Sequence, residues 1–320
     1  MVYTASDMTA TLGACLEGLK SRLAILLPVL VVLLGLAVSA GAAFRVRQEN
    51  ETAAKARFDL AVDKINDQLR QRFTHYEMGL KATRALLVRD AEKITRGEFH
   101  EYITTPMFHI NYPGALGVGV ARYIEASDRD VFLTWARRNI APDYAIKQLA
   151  SNSGALFPIV LIEPLEKNRT AIGLDLASEP VRQRAAIRAV MTGDLTLTPK
   201  IQLIQDNQKR AGFLLMMPVY RLKMPLETTY ERQQALWGWV YLPLVIDQML
   251  GGLFNGYENG LDLHIYDVDD SGQRVALFDA DAEDPKFRDF RHGGVSALHS
   301  GKTGPFISRK IVTVGGRKWE

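Results

Sequence analysis

Residues 23–44, LAILLPVLVVLLGLAVSAGAAF, contain no charged side chain. As a helix, such a run is long enough to cross roughly 30 Å of hydrocarbon, where every backbone polar group must be satisfied internally. We read it as a transmembrane helix. A cleaved signal peptide is the rival reading, because LAVSAGAAF carries small residues in A-x-A-like spacing. The run is long for the apolar core of a signal, and about twenty residues precede it. Lys20 and Arg22 flank one end and Arg45 and Arg47 the other, so charge counting alone does not set the orientation.

From Gln48 to about Lys93 there is no proline, and apolar residues recur at Phe58, Val62, Ile65, Leu69, Phe73, Tyr76, Leu80 and Leu87. Steps of mostly four and three predict one long amphipathic helix, residues 45–95. Its length exceeds that of an ordinary globular helix, which suggests a stalk packed on a domain at one end and on a second copy of the chain at the other. A homodimer through the stalk follows as an expectation.

Beyond the stalk the period changes. GALGVGVARYI, residues 114–124, reads as a buried strand after a Tyr-Pro-Gly turn, and Asp128 is placed to cap a helix bearing Val131, Phe132 and Trp135. Residues 157–163 form a second strand and residues 173–176 a short third piece. Ser178, Glu179 and Pro180 open a helix over residues 181–191 that Thr192 and Gly193 close. Two strands follow, 195–203 and 212–220, joined by QDNQKR. Residues 237–247 then begin a second, smaller sheet that continues through LDLHIYDV, RVALFD and the last sixteen residues. The expected fold is α+β: residues 1–22 a cytoplasmic N-terminus, 23–44 the transmembrane helix, 45–95 the stalk, 96–223 a membrane-distal PAS-like subdomain and 235–320 a membrane-proximal one. The chain stops at Glu320 directly after a strand, with no second apolar span, so a longer parent protein is expected.

Composition narrows the function classes. A formal net charge of +3 with Lys and Arg spread among Asp and Glu gives no basic patch, so nucleic acid is a poor partner. The single cysteine, Cys15, excludes a disulfide framework or a cysteine zinc site within one chain. The six histidines, His75, His100, His109, His264, His292 and His299, show no ligand spacing. DVDDSGQRVALF, residues 267–278, starts like a calcium loop but ends in Phe278 where a bidentate Glu is needed, and reads better as a hairpin turn. No Walker loop, GxSxG elbow or strand-linked GxGxxG occurs. No cofactor, metal or catalytic activity is expected of these residues.

YPGALGVGVAR, FPIVLIEPLEKNRTAIGLDLASEPVRQRAA, TGDLTLTPKIQLIQ and GFLLMMPVYR, in that order and spacing, resemble the CHASE domain. That domain is the extracytoplasmic sensor of many bacterial histidine kinases and diguanylate cyclases and of plant cytokinin receptors. The resemblance covers about residues 76–319, and IEPLEKN followed by GLDLASEP is its most specific part. It implies a stalk, a membrane-distal PAS-like ligand-binding subdomain, a membrane-proximal PAS-like subdomain and a second transmembrane helix, with residues after Phe44 outside the cell membrane.

Two carboxylates stand out because each ends an apolar run, where a charge needs hydrogen-bond donors. The resemblance places Glu163 nearest the acidic pocket residue of the plant receptors, where it would accept an N–H from a planar ligand such as an adenine derivative. IEP stands where those receptors have a different acidic segment. Alternatively Glu163 pairs with Arg169 or Arg182. Asp175 fits a structural role at the turn into the following helix, or a ligand contact. Thr198 matches a threonine of the family's VLTSP-type strand. Phe157, Leu174, Leu197, Leu214 and Met216 are expected on the concave face of the sheet, as pocket lining or as plain core. The expected function is a membrane-anchored small-molecule sensor. The alternatives are a structural dimerisation module, or the N-terminal part of a full-length histidine kinase or diguanylate cyclase.

Overall fold

Alternation of side chains across the pleat decides the central layer. In GFLLMMPVY, Phe213, Leu215, Met217 and Val219 join one buried cluster, while Leu214, Met216 and Tyr220 join another. A strand apolar on both faces must lie inside a sandwich of two covering layers. The computed structural model describes residues 5–90, 94–104, 112–208, 210–251, 253, 263–269, 271–279 and 306–320.

The elements run α1 (Ala5–Asp90), α2 (Arg96–Thr104), β1 (Val118–Arg122), α3 (Arg129–Asn139), β2 (Ile159–Glu163), α4 (Leu165–Asn168), α5 (Pro180–Thr192), β3 (Thr196–Leu197), β4 (Gly212–Tyr220), α6 (Thr229–Ala235), β5 (Leu236–Val245), α7 (Ile246–Leu250), β6 (His264–Val268), β7 (Arg274–Asp279), β8 (Val312–Val314) and β9 (Arg317–Trp319). The fold is α+β with two antiparallel sheets, one five-stranded in the order β2-β1-β5-β4-β3 and one four-stranded in the order β7-β6-β9-β8. By contacts the chain separates into two units, Met1–Val62 and Asp63–Glu320.

In the first unit α1 carries the apolar run, and Leu30, Val31, Val32, Leu33, Leu34, Leu36, Val38 and Phe44 are 58–68% exposed. By length and composition this part of α1 is long and apolar enough to cross a membrane.

In the second unit the rest of α1 buries Ile65, Leu69, Phe73, Tyr76, Leu80 and Leu87. From Leu69 onward these pack with Val118, Val120, Val240, Leu242, Leu215 and Trp319. The stripe expected from the sequence is therefore a core face, spaced by four and three as a helix requires. Tyr76 donates from its hydroxyl to the Pro113 carbonyl, and Arg72 donates to the Met249 carbonyl. α5 covers the opposite face of the first sheet, with Ala185, Ala186, Ala189 and Val190 against Trp239, Met216 and Leu214. Small residues at these positions let the helix backbone approach closely enough for Trp239 Nε1 to donate to the Ala186 carbonyl at 2.9 Å.

The helix expected over 181–191 is present as α5. Glu179 caps it by accepting from the Val181 and Arg182 amides, and Gly193 closes it in the left-handed region at φ 79°. Asp128 occupies the N-cap position of α3 but makes no side-chain cap bond. The strand expected over 195–203 is reduced to Thr196–Leu197, with one further bridge between Ile201 and Gly212.

One boundary is corrected. Residues 237–247 were expected to start the second sheet, but β5 pairs with β1 from Gly119↔Tyr241 to Arg122↔Gly238 and with β4 from Gly212↔Val245 to Tyr220↔Leu236. It is the central strand of the first sheet, because apolar residues on both its faces need two covering layers. The second sheet begins after α7.

The second sheet closes on itself through Asp267, whose carboxylate accepts from Arg317 Nε at 2.8 Å and Nη2 at 2.5 Å. The calcium-like segment forms the β6–β7 hairpin, where Asp269 accepts from the Ser271 and Gln273 amides, both at 2.9 Å. His109, His292 and His299 lie outside the described residues.

Candidate functional site

Where β1 ends and β5 begins, the sheet, α3 and α5 diverge around a cleft of about 800 Å³. Its wall is aromatic. Phe157 and Trp239 pack at 4.4 Å between ring centroids, with Tyr123 5.9 Å from Phe157 and 6.4 Å from Trp239. Phe132 and Trp135 from α3 continue the lining, and α5 contributes Gln183, Ile187 and Val190 at helical spacing. Gln233, Gln234 and Arg221 stand at the mouth.

Electrostatics in the cleft are mixed. Arg122, at the last position of β1, has its guanidinium carbon 5.2 Å from the Trp135 ring centre and 4.7 Å from that of Trp237. Arg221 Nη1 donates to the Leu236 carbonyl at 2.8 Å. Tyr123 donates to Glu125 Oε1 at 2.6 Å. Desolvation first, and then that bond to a carboxylate, push the Tyr123 hydroxyl up to about 12, so it stays a neutral donor. The cleft thus offers planar apolar walls, amide groups and a fixed cation, which suit binding rather than bond making.

Of the residues singled out in the sequence, Phe157 lines this cleft. Leu174, Leu214 and Met216 lie in the same buried cluster as Phe157, beneath α5. Leu197 was expected on that face but pairs with Leu215 and belongs to the opposite cluster, with α1. The reason is register: Thr196, paired with Met216, takes the α5 side and Leu197 the other. Thr198 is fully buried, and its hydroxyl accepts from the Leu214 amide at 2.9 Å.

The two carboxylates are held by protein groups. Asp175, fully buried, accepts from the Phe157 amide at 2.7 Å, the Ala177 amide at 3.0 Å, Asn152 Nδ2 at 3.0 Å and Gln148 Nε2 at 3.2 Å. It ties together the segments on either side of the cleft's aromatic wall. Glu163 is also buried, but its partners are not Arg169 or Arg182. His100 Nδ1 lies 2.8 Å from Oε2, the Leu165 amide donates to Oε2 at 3.0 Å, and Arg96 Nε is 3.7 Å from Oε1. Arg182 donates instead to the Gln202 carbonyl at 2.7 Å. Arg96 and His100 come from α2, one turn apart on one face, a pairing that only the tertiary fold reveals.

Sequence reasoning missed Arg122, Tyr123, Gln183 and Trp239. The usable signal was the run Ala121-Arg122-Tyr123, where a strand otherwise buried on both faces turns abruptly polar at its end.

Comparison with known proteins follows the geometry. The CHASE domain matches over residues 92–278. No curated protein matches the chain. Among solved structures, the chain is similar to an extracellular ligand binding receptor from Desulfohalobium retbaense, at 14% identity and a TM-score of 0.47. That match covers 82% of this chain, which spans only 39% of the receptor's length. The ligand binding domain of Mlp24 with asparagine is similar at 13% identity and a TM-score of 0.34, covering 82% of this chain and 92% of that one.

Proposed function

The chain belongs to the CHASE-domain family, and on that premise we propose that it is the extracytoplasmic small-molecule sensor of a transmembrane signalling receptor. The observation that carries this is the cleft between α3, α5 and the end of the first sheet, with its aromatic wall and three glutamines. A planar heterocycle such as an adenine derivative matches that chemistry. The rings of Phe157, Trp239 and Tyr123 give it faces to pack on, and a glutamine amide pairs a donor with an acceptor as the edge of a purine does.

The exposed apolar run of α1 anchors the module in the cell membrane, with the second unit on the extracytoplasmic side. The outer face of α1 still presents Leu60 at 71% exposure and Met78 at 62%, which suits a homodimer along the stalk.

A route from cleft to stalk is built from contacts. α5 lines the cleft with Gln183 and Ile187, and its Arg188 donates from Nη2 to the Gly316 carbonyl at 3.1 Å. Gly316 belongs to the β8–β9 turn, and Trp319 of β9 packs edge-on against Phe73 of α1 at 5.4 Å. A ligand that binds one arrangement of α5 better than another would shift the stalk through this hairpin.

A thermal-shift screen of the intact chain in lipid nanodiscs against adenine derivatives and common metabolites tests the function. A ligand at about a hundred times its Kd adds roughly 2.7 kcal/mol. Hits should vanish in Ile187→Glu, which puts a charge on an exposed position of the cleft, and persist in Glu163→Gln. Hits that survive Ile187→Glu would place the ligand elsewhere.

A further inference from the structure

We propose that Gln183 is the specificity-determining residue of the cleft, and that it selects neutral planar rings with a hydrogen-bond donor beside an acceptor on one edge, as lactams and amino-substituted nitrogen heterocycles have. The inference rests on the cleft being the ligand site and adds the group that reads its occupant.

Gln183 stands on the face of α5 that lines the cleft, one turn before Ile187 and two before Val190. Its backbone is held from below. The Gln183 amide donates to the Glu179 carbonyl at 3.0 Å, Glu179 caps the helix, and the adjacent Arg182 is tied to the Gln202 carbonyl at 2.7 Å. The side chain is half-buried, and its carboxamide has no hydrogen-bond partner among the described residues. The other polar groups of the lining differ in this respect. The Tyr123 hydroxyl donates to Glu125, and Arg221 donates to the Leu236 and Gln234 carbonyls. Gln233 and Gln234, on α6, are exposed. A hydrogen bond formed in open water gains little over the water it replaces, whereas a group covered by a ligand and left unmatched carries its full desolvation cost. Among the glutamines of the lining, that asymmetry is largest at Gln183.

The chemistry of a carboxamide fixes the class. It presents an acceptor and a donor side by side, so its complement is a donor beside an acceptor, and a half turn about its last bond lets it read either order. A lactam or an amino-azine offers that pair in the plane of its ring, which leaves the ring faces to pack on Phe157 and Trp239. An edge with acceptors alone sets a lone pair against the amide oxygen, and a site with an unmatched polar group rejects such an analogue. Charge does not compete with this selection, because Arg122 and Arg221 in the lining are opposed by Glu125 and Asp128.

The experiment compares two pairs by isothermal titration on the intact chain in nanodiscs. One is carbostyril with coumarin, in which a ring oxygen replaces the lactam N–H, and the other is 9-methyladenine with its analogue bearing methyl in place of the amino group. The wild-type chain is expected to bind the donor-bearing member of at least one pair about tenfold or more tighter. The preference should collapse in Gln183→Met, which keeps the length and helix propensity of the side chain but has no amide, and in Gln183→Ala. It should persist in Gln233→Met and Gln234→Met. A preference that survives both Gln183 variants, or that is lost in Gln233→Met or Gln234→Met instead, overturns the assignment to Gln183. Pairs that bind equally to the wild-type chain overturn the donor-acceptor class and leave the sensor standing. Failure of all four compounds to bind overturns the class alone if the thermal-shift screen gives hits that Ile187→Glu removes, and overturns the sensor as well if it gives none.

Discussion

Asp175 shows how a single side chain can build a cleft without touching its contents. Its carboxylate takes donors from Gln148, Asn152, Phe157 and Ala177, so the strand entry, the loop before it and the turn after it share one acceptor. Asp175→Asn replaces one acceptor oxygen by a donor facing donors, and it should cost about 2–3 kcal/mol in chemical denaturation. A loss below about 0.5 kcal/mol, in the range of an ordinary surface substitution, would show the network to be dispensable. Asp206 adds a pH dependence. Its side-chain bonds to Arg210, at 2.7 Å to Nη2, hold its carboxyl below the usual aspartate value, with burial opposing and the Arg210 amide assisting. A depressed folded-state pKa stabilises the fold above the ordinary value of about 3.9, and the benefit is lost as pH falls through the lower, folded one. Asp206→Asn should therefore lower stability by about 1–3 kcal/mol at neutral pH, and the gap to wild type should narrow as pH falls below the ordinary aspartate value. A gap that is constant with pH would assign the loss to packing.

Among the elements, the β8–β9 hairpin reaches β3, α5, α1 and β4. The Leu197 amide donates to the Gly315 carbonyl at 2.9 Å, Arg188 reaches Gly316, and Trp319 packs on Phe73 and Phe213 at 5.4 Å each. Gly315 and Gly316 both have positive φ, 51° and 75°, and a Cβ at Gly316 would fall 2.9 Å from Arg188 Nη2. Gly316→Ala should cost about 1–2 kcal/mol from the left-handed backbone alone. It should also speed amide exchange in β8, β9 and α1 near Phe73 while sparing α3. Exchange that rises only in the hairpin would disconnect it from the stalk. Elements of this kind were only partly legible in the sequence. Both faces of β4 and the stripe on α1 could be read because period and burial are local properties. The sheet to which β5 belongs could not, since Leu236–Val245 is apolar enough for either and its partners lie far away in the chain. Leu197 was misplaced because a two-residue strand has no alternation to read. Glu163 was seen as a buried acid, but its partner His100 lies 63 residues earlier, on a helix that carried no motif. The place of Arg122 beside the cleft could not be read either, because the two indoles that frame it arrive from α3 and β5.

For the whole molecule, the central issue is which side of the membrane holds the sensor. Cys15 is the only cysteine, which makes it a natural topology probe. A membrane-impermeant maleimide should label Cys15 only after the cell membrane is opened, whereas a cysteine placed at Ser127, in the second unit, should label in intact spheroplasts. The reverse pattern would put the cleft in the cytoplasm. That the cleft takes a small molecule is tested most directly by tryptophan emission. Of the four tryptophans, Trp135 and Trp239 line the cleft and Trp237 stacks on the arginine inside it. Titrating the intact chain with adenine derivatives and the metabolites of the thermal-shift screen should give a saturable emission change that Ile187→Glu abolishes. A flat emission across every compound, from a folded protein, would contradict the assignment of this cleft as the sensor's binding site.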